Sequence, residues 1–404
     1  MGDALMNAEA TAFAPVGKDE LAWLGTAPVP AAPYYDSDWF EREREAVFRQ
    51  SWMQLGHVCE LPERGSFMRR EIEVLKASIL IVRGRDDEIR AFHNVCTHRG
   101  TQLVDAADGR RSTFSCPYHM WTFGLDGALV SAPDFESFHV AKADCALPPV
   151  RCEVIAGLIF VHCGEPGVSL REELGPLAEK LEAMPVAAAT TFSEYVYEID
   201  ANWKLTFDNF QENYHLRFIH PAAAQPVCSA DNPFGYPVSY GFHGAHRTQR
   251  IWSNPRMPAP APIQGEAFRR GGASAMADGL LGSDTVKDYL ALFPNFFLFG
   301  SPVQHFSHMV MPIAPDRSRG VIRLYWIGED ESASERFSRE YVMATARDVH
   351  AEDRSVIERG HKGLASGALR HIHFQAQESL CRHLFNEVDR KVRGHRGGQP
   401  EAAR

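Results

Sequence analysis

Between Asp208 and Pro221 the chain reads DNFQENYHLRFIHP, which brings one carboxylate, Glu212, close to two imidazoles, His215 and His220. Upstream, NVCTHRGTQL and FSCPYHMWTF each carry one Cys and one His, pairing Cys96 with His98 and Cys116 with His119. Thiolates, imidazoles and carboxylates are the side chains that hold transition metals. The chemistry on offer is therefore metal chemistry at two places. For the downstream stretch, the plain alternative is a helix with a solvated polar face.

The two Cys/His pairs have the spacing with which two facing loops can close a four-ligand site. A structural zinc would be held tetrahedrally by Cys₂His₂. Zinc fingers, however, mostly repeat CxxC and place their two histidines on one helix, whereas here each loop supplies one ligand of each kind. That division suits a 2Fe–2S cluster with two thiolates on one iron and two imidazoles on the other. Neutral imidazole ligands raise the potential of such a cluster and make it a relay, which needs something to reduce.

For the second set, Asn202 reads as a helix N-cap, and at about 100° per residue Trp203, Phe207, Phe210 and Tyr214 fall on one buried stripe. Asp208, Glu212 and His215 fall on the other side. His220 precedes Pro221, which discourages helix there, so it is expected just past the helix end, turned back toward His215. A site of two histidines and one carboxylate leaves positions open for dioxygen and substrate, and it requires one more oxygen ligand. Within RDVHAEDRSVIERGHKGL, Val349, Val356, Ile357 and Gly360 read as the apolar stripe of a helix, with Asp353 inside it. A buried carboxylate must be paired or metal-bound. Asp353 is thus the expected third ligand, or else a salt-bridged residue at a helix edge. Asp348 and Glu352 project off the stripe and rank below it.

Two different kinds of element must position these residues. From Trp52 to Gly164 the pattern is short strands and turns, including SILIVRG, EIRAFHNV and MWTFGLDGALV with a hairpin at Leu-Asp-Gly. Beyond it, SLREELGPLAEKLEAM reads as helix, TTFSEYVYEI as strand, and long helices close the chain. The expected fold class is α+β: a leader over 1–45 packed on the last domain, a β-rich domain over 46–165, and an α+β domain over 166–393 with an antiparallel sheet. Residues 394–404 read as a disordered tail. Asn254–Gly279, rich in Pro, Gly and Ala, is expected as a surface insertion or a lid. LFPNFFLFG reads as a buried strand, with Phe293, Asn295, Phe297 or Phe299 as candidate cavity walls.

Composition narrows the partners. A net charge of −10 over 404 residues, without a dense basic run, argues against nucleic acid. No apolar run is long enough to span a membrane, and the N-terminal stretch lacks signal-peptide and myristoylation features, so a cytoplasmic protein is expected. The eight cysteines are too sparse for a disulfide scaffold. No GxGxxG follows a strand, so the sequence shows no dinucleotide-binding fingerprint.

The motifs CTHRG and CPYHMW resemble the Rieske signature, and NWKLTFDNFQENYHLRFIHP resembles the catalytic signature of Rieske non-heme iron oxygenase α subunits. The resemblance implies a terminal oxygenase with Cys96, His98, Cys116 and His119 on the cluster and His215, His220 and Asp353 on a mononuclear Fe(II). It further implies a homotrimer in which Glu212 hydrogen-bonds the ligand His119 of a neighbouring subunit and links the two centres. An NAD(P)H-dependent reductase, possibly with a ferredoxin, would supply electrons. The expected reaction is hydroxylation or oxidative demethylation of a small organic, by expectation aromatic, substrate. Ring cis-dihydroxylation is the nearest alternative. Glu in place of Asp at the bridging position also occurs in members acting on quaternary ammonium compounds. From other classes, an electron-transfer Rieske protein or a zinc-stabilised binding protein would fit the upstream motifs alone.

Overall fold

The computed structural model describes residues 15–224, 227–252, 286–301, 304–328 and 332–395. Two seven-stranded sheets dominate, and every strand pair in them is antiparallel. The class is α+β.

The first sheet is built from segments between Met53 and His162. Its central strands alternate little. Leu80, Ile81 and Val82 are all buried, because the sheet is covered on both faces. One face joins a core with Trp203, Phe207 and Phe293, while the other packs Phe67, Leu80 and Phe92 against the Cys96 and Cys116 loops. A three-stranded sheet of Phe114–Ser115, Thr122–Phe123 and Leu129–Ser131 carries the second of those loops. Its expected hairpin is present, with Gly127 at φ 81° and Asp126 Oδ1 accepting from the Ala128 amide.

The second sheet runs, in spatial order, Ala189–Ile199, Arg317–Ile327, Gln304–Ala314, Phe296–Ser301, Val286–Leu292, His246–Trp252 and Ser239–His243. LFPNFFLFG is not one strand. It spans the end of Val286–Leu292, a turn, and the start of Phe296–Ser301, and these two strands pair as a hairpin. The 33-residue helix Ala333–Ala365 starts at the capping box of Ser332 and Glu335 and packs against the Ala189–Ile199 strand. In register with Tyr197 on the neighbouring strand stands Gly320, where a Cβ would lie 2.0 Å from the Tyr197 ring. Only glycine leaves that ring its place.

The helical stretch after residue 168 is divided at Gly175 (φ 53°) into Leu170–Leu174 and Pro176–Glu182, since Pro176 cannot donate the hydrogen bond that would continue the first piece. Near the N-terminus, Ser37–Glu43 packs on the second domain through a buried carboxylate. Glu43 accepts from Trp39 Nε1 (2.8 Å), Trp203 Nε1 (2.8 Å) and Lys204 Nζ (2.6 Å). The C-terminal helix Ser379–Gly394 includes Gly394, a residue expected in the tail. Residues 396–404 and the Asn254–Gly279 segment lie outside the described residues. Among the described residues no helix is long and apolar enough to cross a membrane.

Candidate metal centres and the cavity beside them

The two Cys/His loops share one backbone plan. Cys96 N donates to Thr101 O (2.8 Å) and Gly100 N to Cys96 O (2.9 Å); Cys116 N donates to Trp121 O (2.8 Å) and Met120 N to Cys116 O (3.0 Å). The fourth residue after each Cys is left-handed, Gly100 at φ 78° and Met120 at φ 57°. Met120 thus holds a conformation that L side chains adopt uncommonly. Both cysteines are 2% exposed and free, and the His98 and His119 rings meet at 4.7 Å between centroids. His98 stacks on Trp121 at 4.9 Å, and Tyr118 lies against His119 at 3.7 Å. Burial pushes the Cys96 thiol up, and the neighbouring Cys116 thiol adds to this, so a cation is what would turn Cys96 into a thiolate. His119 Nδ1 is buried with no hydrogen-bond partner. Two buried thiols, two converging imidazoles and an orphaned ring nitrogen fit a mixed-ligand iron–sulfur cluster.

The second site departs from the single helix expected of its sequence. Helix Trp203–Asp208 passes into one 3₁₀ turn, Asn209–Gln211, and stops at Glu212, which is extended (φ −132°, ψ 158°). The cause is Glu212 itself. Its carboxylate accepts from the amides of Tyr214 and His215, offering the backbone a local alternative to the helix. Tyr214 is therefore 44% exposed instead of completing the buried stripe, and Asp208 lies apart from Glu212, buried and accepting from Tyr34 Oη (3.1 Å). A short helix, Leu216–Ile219, then separates His215 from His220, whose φ of −120° and ψ of 54° end it before Pro221.

On the long helix the buried face runs through His350, Asp353, Ile357, His361 and Leu364. Val356 and Gly360, expected on that face, are exposed, whereas Asp353 is 2% exposed. His215, His220 and Asp353 bring one ligand atom each to within 4.8 Å of one another. Asp353 Oδ1 stands 2.8 Å from His220 Nε2 and 3.5 Å from His215 Nε2. Adjacent ligands around a six-coordinate ion at about 2.1 Å stand about 3 Å apart, which these spacings bracket.

Each imidazole is held from behind by a different carboxylate. His215 Nδ1 donates to Glu212, and His220 Nδ1 donates to Glu352 Oε2 at 2.6 Å. With protons kept at Nδ1, both Nε2 lone pairs face the Asp353 oxygen, an arrangement that calls for a cation between them. Burial depresses the His220 imidazole, yet the carboxylates of Asp353 and Glu352 outweigh it and raise its pKa overall. This corner attracts positive charge. Asn209 Nδ2 adds a 3.3 Å contact to Asp353 Oδ1. Sequence reasoning ranked Glu352 and Asp348 below Asp353 as ligands, and it missed the contact of Glu352 with His220. No local signal carries that contact, because the partners lie 132 positions apart. Asp348 is exposed.

The triad borders a cavity of ≈ 350 Å³ with Phe210, Tyr289, Phe297, Phe299 and Phe306 among its walls. Phe297 and Phe299 line it as expected. Phe293 and Asn295 do not; both are buried at the hairpin turn, where Asn295 Nδ2 donates to Val310 O (2.8 Å). The described lining contains the carboxylates Glu212 and Asp353 and neither Lys nor Arg.

The family model for the ring hydroxylating alpha subunit (catalytic domain) matches residues 186–394, and that for the Rieske [2Fe-2S] domain matches residues 51–147. The chain belongs to the ring hydroxylating alpha subunit family. Among curated members, the carnitine monooxygenase oxygenase subunit of Acinetobacter baumannii is 35% identical over 213 residues, 52% of this chain and 55% of the relative. The 2-aminobenzenesulfonate 2,3-dioxygenase subunit alpha of Alcaligenes sp. is 33% identical over 192 residues, 46% of this chain and 48% of the relative. The chain spans about half the length of the curated relatives it matches. The solved structure of a quaternary ammonium Rieske monooxygenase superposes with a TM-score of 0.75 at 23% identity, covering 94% of this chain and 100% of that one. At that identity the likeness is one of fold.

The brace on His220 gives a direct expectation. Glu352→Ala should lower affinity for Fe(II) by about 10–100-fold, with Glu352→Gln milder because its amide oxygen can still accept from Nδ1. Equilibrium dialysis against Fe(II) would measure it. Equal affinity in all three proteins would remove Glu352 from the site.

Proposed function

We propose that this chain is the terminal oxygenase of a Rieske-type monooxygenase system. The observation that carries the reading is the convergence of His215, His220 and Asp353 on one face of an aromatic-walled cavity. Those three residues would hold the mononuclear iron, and Cys96, His98, Cys116 and His119 the cluster. When loaded, the two centres supply single-electron transfer and the activation of dioxygen. The chain's own residues do the rest. Glu212 and Glu352 keep protons on the Nδ1 atoms of His215 and His220, and the phenylalanine walls exclude water around the substrate.

Electrons would reach the cluster from an NAD(P)H-dependent reductase, directly or through a ferredoxin, and cross to Glu212 of a neighbouring subunit in a homotrimer. Exposed aromatic and apolar side chains at both ends of that route support it. Tyr118 (55%) and Met120 (56%) stand beside the cluster ligands, and Phe218 (64%) stands beside the Glu212 turn. A reducing, cytoplasmic compartment suits cysteines that remain free thiols.

For the substrate we favour a small molecule with a methylated ammonium group, hydroxylated or oxidatively demethylated. The charged groups of the described lining are carboxylates, and aromatic walls attract an ammonium through their π faces. Ring oxidation of an aromatic substrate is the second reading, favoured by the same walls and by the dioxygenase relative.

The test has two parts. Purified protein should contain about two sulfides per chain and give a Rieske-type EPR signal on reduction, as mixed ligation requires. With a surrogate reductase, NADH-dependent O₂ uptake should then rise with members of an ammonium panel. Stoichiometric zinc without sulfide would end the oxygenase reading, and stimulation confined to aromatic compounds would select the second substrate class.

A further inference from the structure

One polar side chain on the cavity wall has no role in the metal centre. His350 lies three residues before Asp353, so the helix places both on one face, about 4.5 Å apart along its axis. Its side chain is aimed at the cavity yet is only 1% exposed, and neither ring nitrogen has a hydrogen-bond partner. Among the polar groups of the lining, Asn209 Oδ1 also lacks a partner, but its Nδ2 is already turned to Asp353, whereas others are engaged. Thr345 Oγ1 donates to Tyr341 O (3.0 Å), and Asn213 Nδ2 donates to Gly235 O.

The ring is fixed from behind. Tyr197 lies against it at 3.7 Å between centroids, and Tyr195 meets its edge at 5.6 Å. Tyr197 is itself tied through its hydroxyl to His308 Nε2 (2.6 Å), and Gly320 leaves its ring room. Burial holds the His350 imidazole down, at about 4, so near neutral pH it is uncharged and offers one N–H donor and one acceptor. A buried polar ring without partners is costly, and a ligand that supplies the missing hydrogen bond recovers that cost.

We propose that His350 is a substrate-positioning residue, which donates an N–H hydrogen bond to an oxygen of the substrate and so decides which carbon faces the His215, His220 and Asp353 site. The substrate class narrows to ammonium or aromatic molecules that carry an accepting oxygen, a hydroxyl or ether, within a few bonds of the oxidised carbon. This assignment rests on reading the cavity as a substrate pocket.

The test uses the metal-loaded enzyme without oxygen, and calorimetric binding of two matched pairs: choline against ethyltrimethylammonium, and 4-methoxytoluene against 4-ethyltoluene. In the wild type at least one oxygen-bearing member should bind about 10-fold more tightly than its partner, the size of one well-made hydrogen bond to a buried group. His350→Phe keeps the ring contact with Tyr197 and removes the donor. It should abolish that preference while leaving the deoxygenated partner's affinity unchanged, which a general disruption of the pocket would not do. His350→Gln retains a donor and should restore part of the preference. The proposal is overturned if no oxygen-bearing probe loses affinity in the Phe variant relative to its partner. Selective binding that depends on His350, with no O₂ uptake on any probe once oxygen, NADH and a surrogate reductase are supplied in a separate assay, would instead overturn the oxygenase reading and leave the binding role of His350 standing.

Discussion

Asp353→Ala is expected to empty the mononuclear site while leaving the cluster intact. The substitution removes the oxygen that faces both His220 Nε2 at 2.8 Å and His215 Nε2 at 3.5 Å. Loss of an outer partner of a ligand costs roughly 10–100-fold in metal affinity, and loss of a ligand from a set of three should exceed that. Iron per chain should therefore fall to the cluster's share, with turnover at background. The Rieske EPR signal should be unchanged, because Cys96 and Cys116 sit in the core of the other domain. If the Ala variant kept its third iron and its activity, the carboxylate ligand would have to be sought elsewhere, first at Glu352, whose carboxylate already reaches His220.

The second large effect is expected at Glu212. In this structure its carboxylate holds His215 Nδ1 and the amides of Tyr214 and His215. The two oxygens divide these donors, Oε1 taking His215 Nδ1 and Oε2 the amides; Gln keeps one oxygen, enough for His215 Nδ1, and lacks the charge and second equivalent oxygen that a bridge to a neighbouring subunit's cluster would use. Glu212→Gln should thus retain both metal centres and substrate binding. Oxidation of the reduced cluster in a single turnover should slow by roughly 100-fold or more, with Glu212→Asp intermediate. Stopped-flow absorbance of the cluster, with substrate and O₂ present, reads the rate. A Gln variant that reoxidised at the wild-type rate would leave Glu212 with only its local work of holding His215 and ending the helix.

These two residues also mark what the sequence made legible. The two Cys/His loops were readable because each pair is close in the chain and the loop geometry is local; the left-handed positions at Gly100 and Met120 came only from the structure. The grouping of Asp353 with His215 and His220 followed from a carboxylate placed on a buried helix face. Yet the face was drawn through Val356 and Gly360, which are exposed, and the error arose because helix periodicity alone cannot say which neighbours cover the helix. The unbroken helix expected from Asn202 through Tyr214 failed for a different reason. Period and propensity took no account of a side chain that takes its own backbone's hydrogen bonds, as Glu212 does. LFPNFFLFG misled because an apolar run is the same whether it forms one buried strand or the turn of a buried hairpin. The contact of Glu352 with His220 and the ring contact of His350 with Tyr197 are tertiary facts. No spacing in the sequence encodes them.

The distribution of the braces has a thermodynamic meaning. Glu212 and its histidine form a local unit, but Asp353 and Glu352 arrive together on a helix that begins more than 100 residues further on, seated against Tyr195 and Tyr197. An ion held by both parts favours the docked arrangement over any in which the helix has lifted away, and the free energy of holding the ion and that of seating the helix are linked. Iron held at this site would act as a fastener as well as a reagent. Loosening the seat at a site that never touches metal, such as the glycine opposite Tyr197, would therefore register as weaker iron retention, and chelation would register as a helix less firmly closed on its sheet.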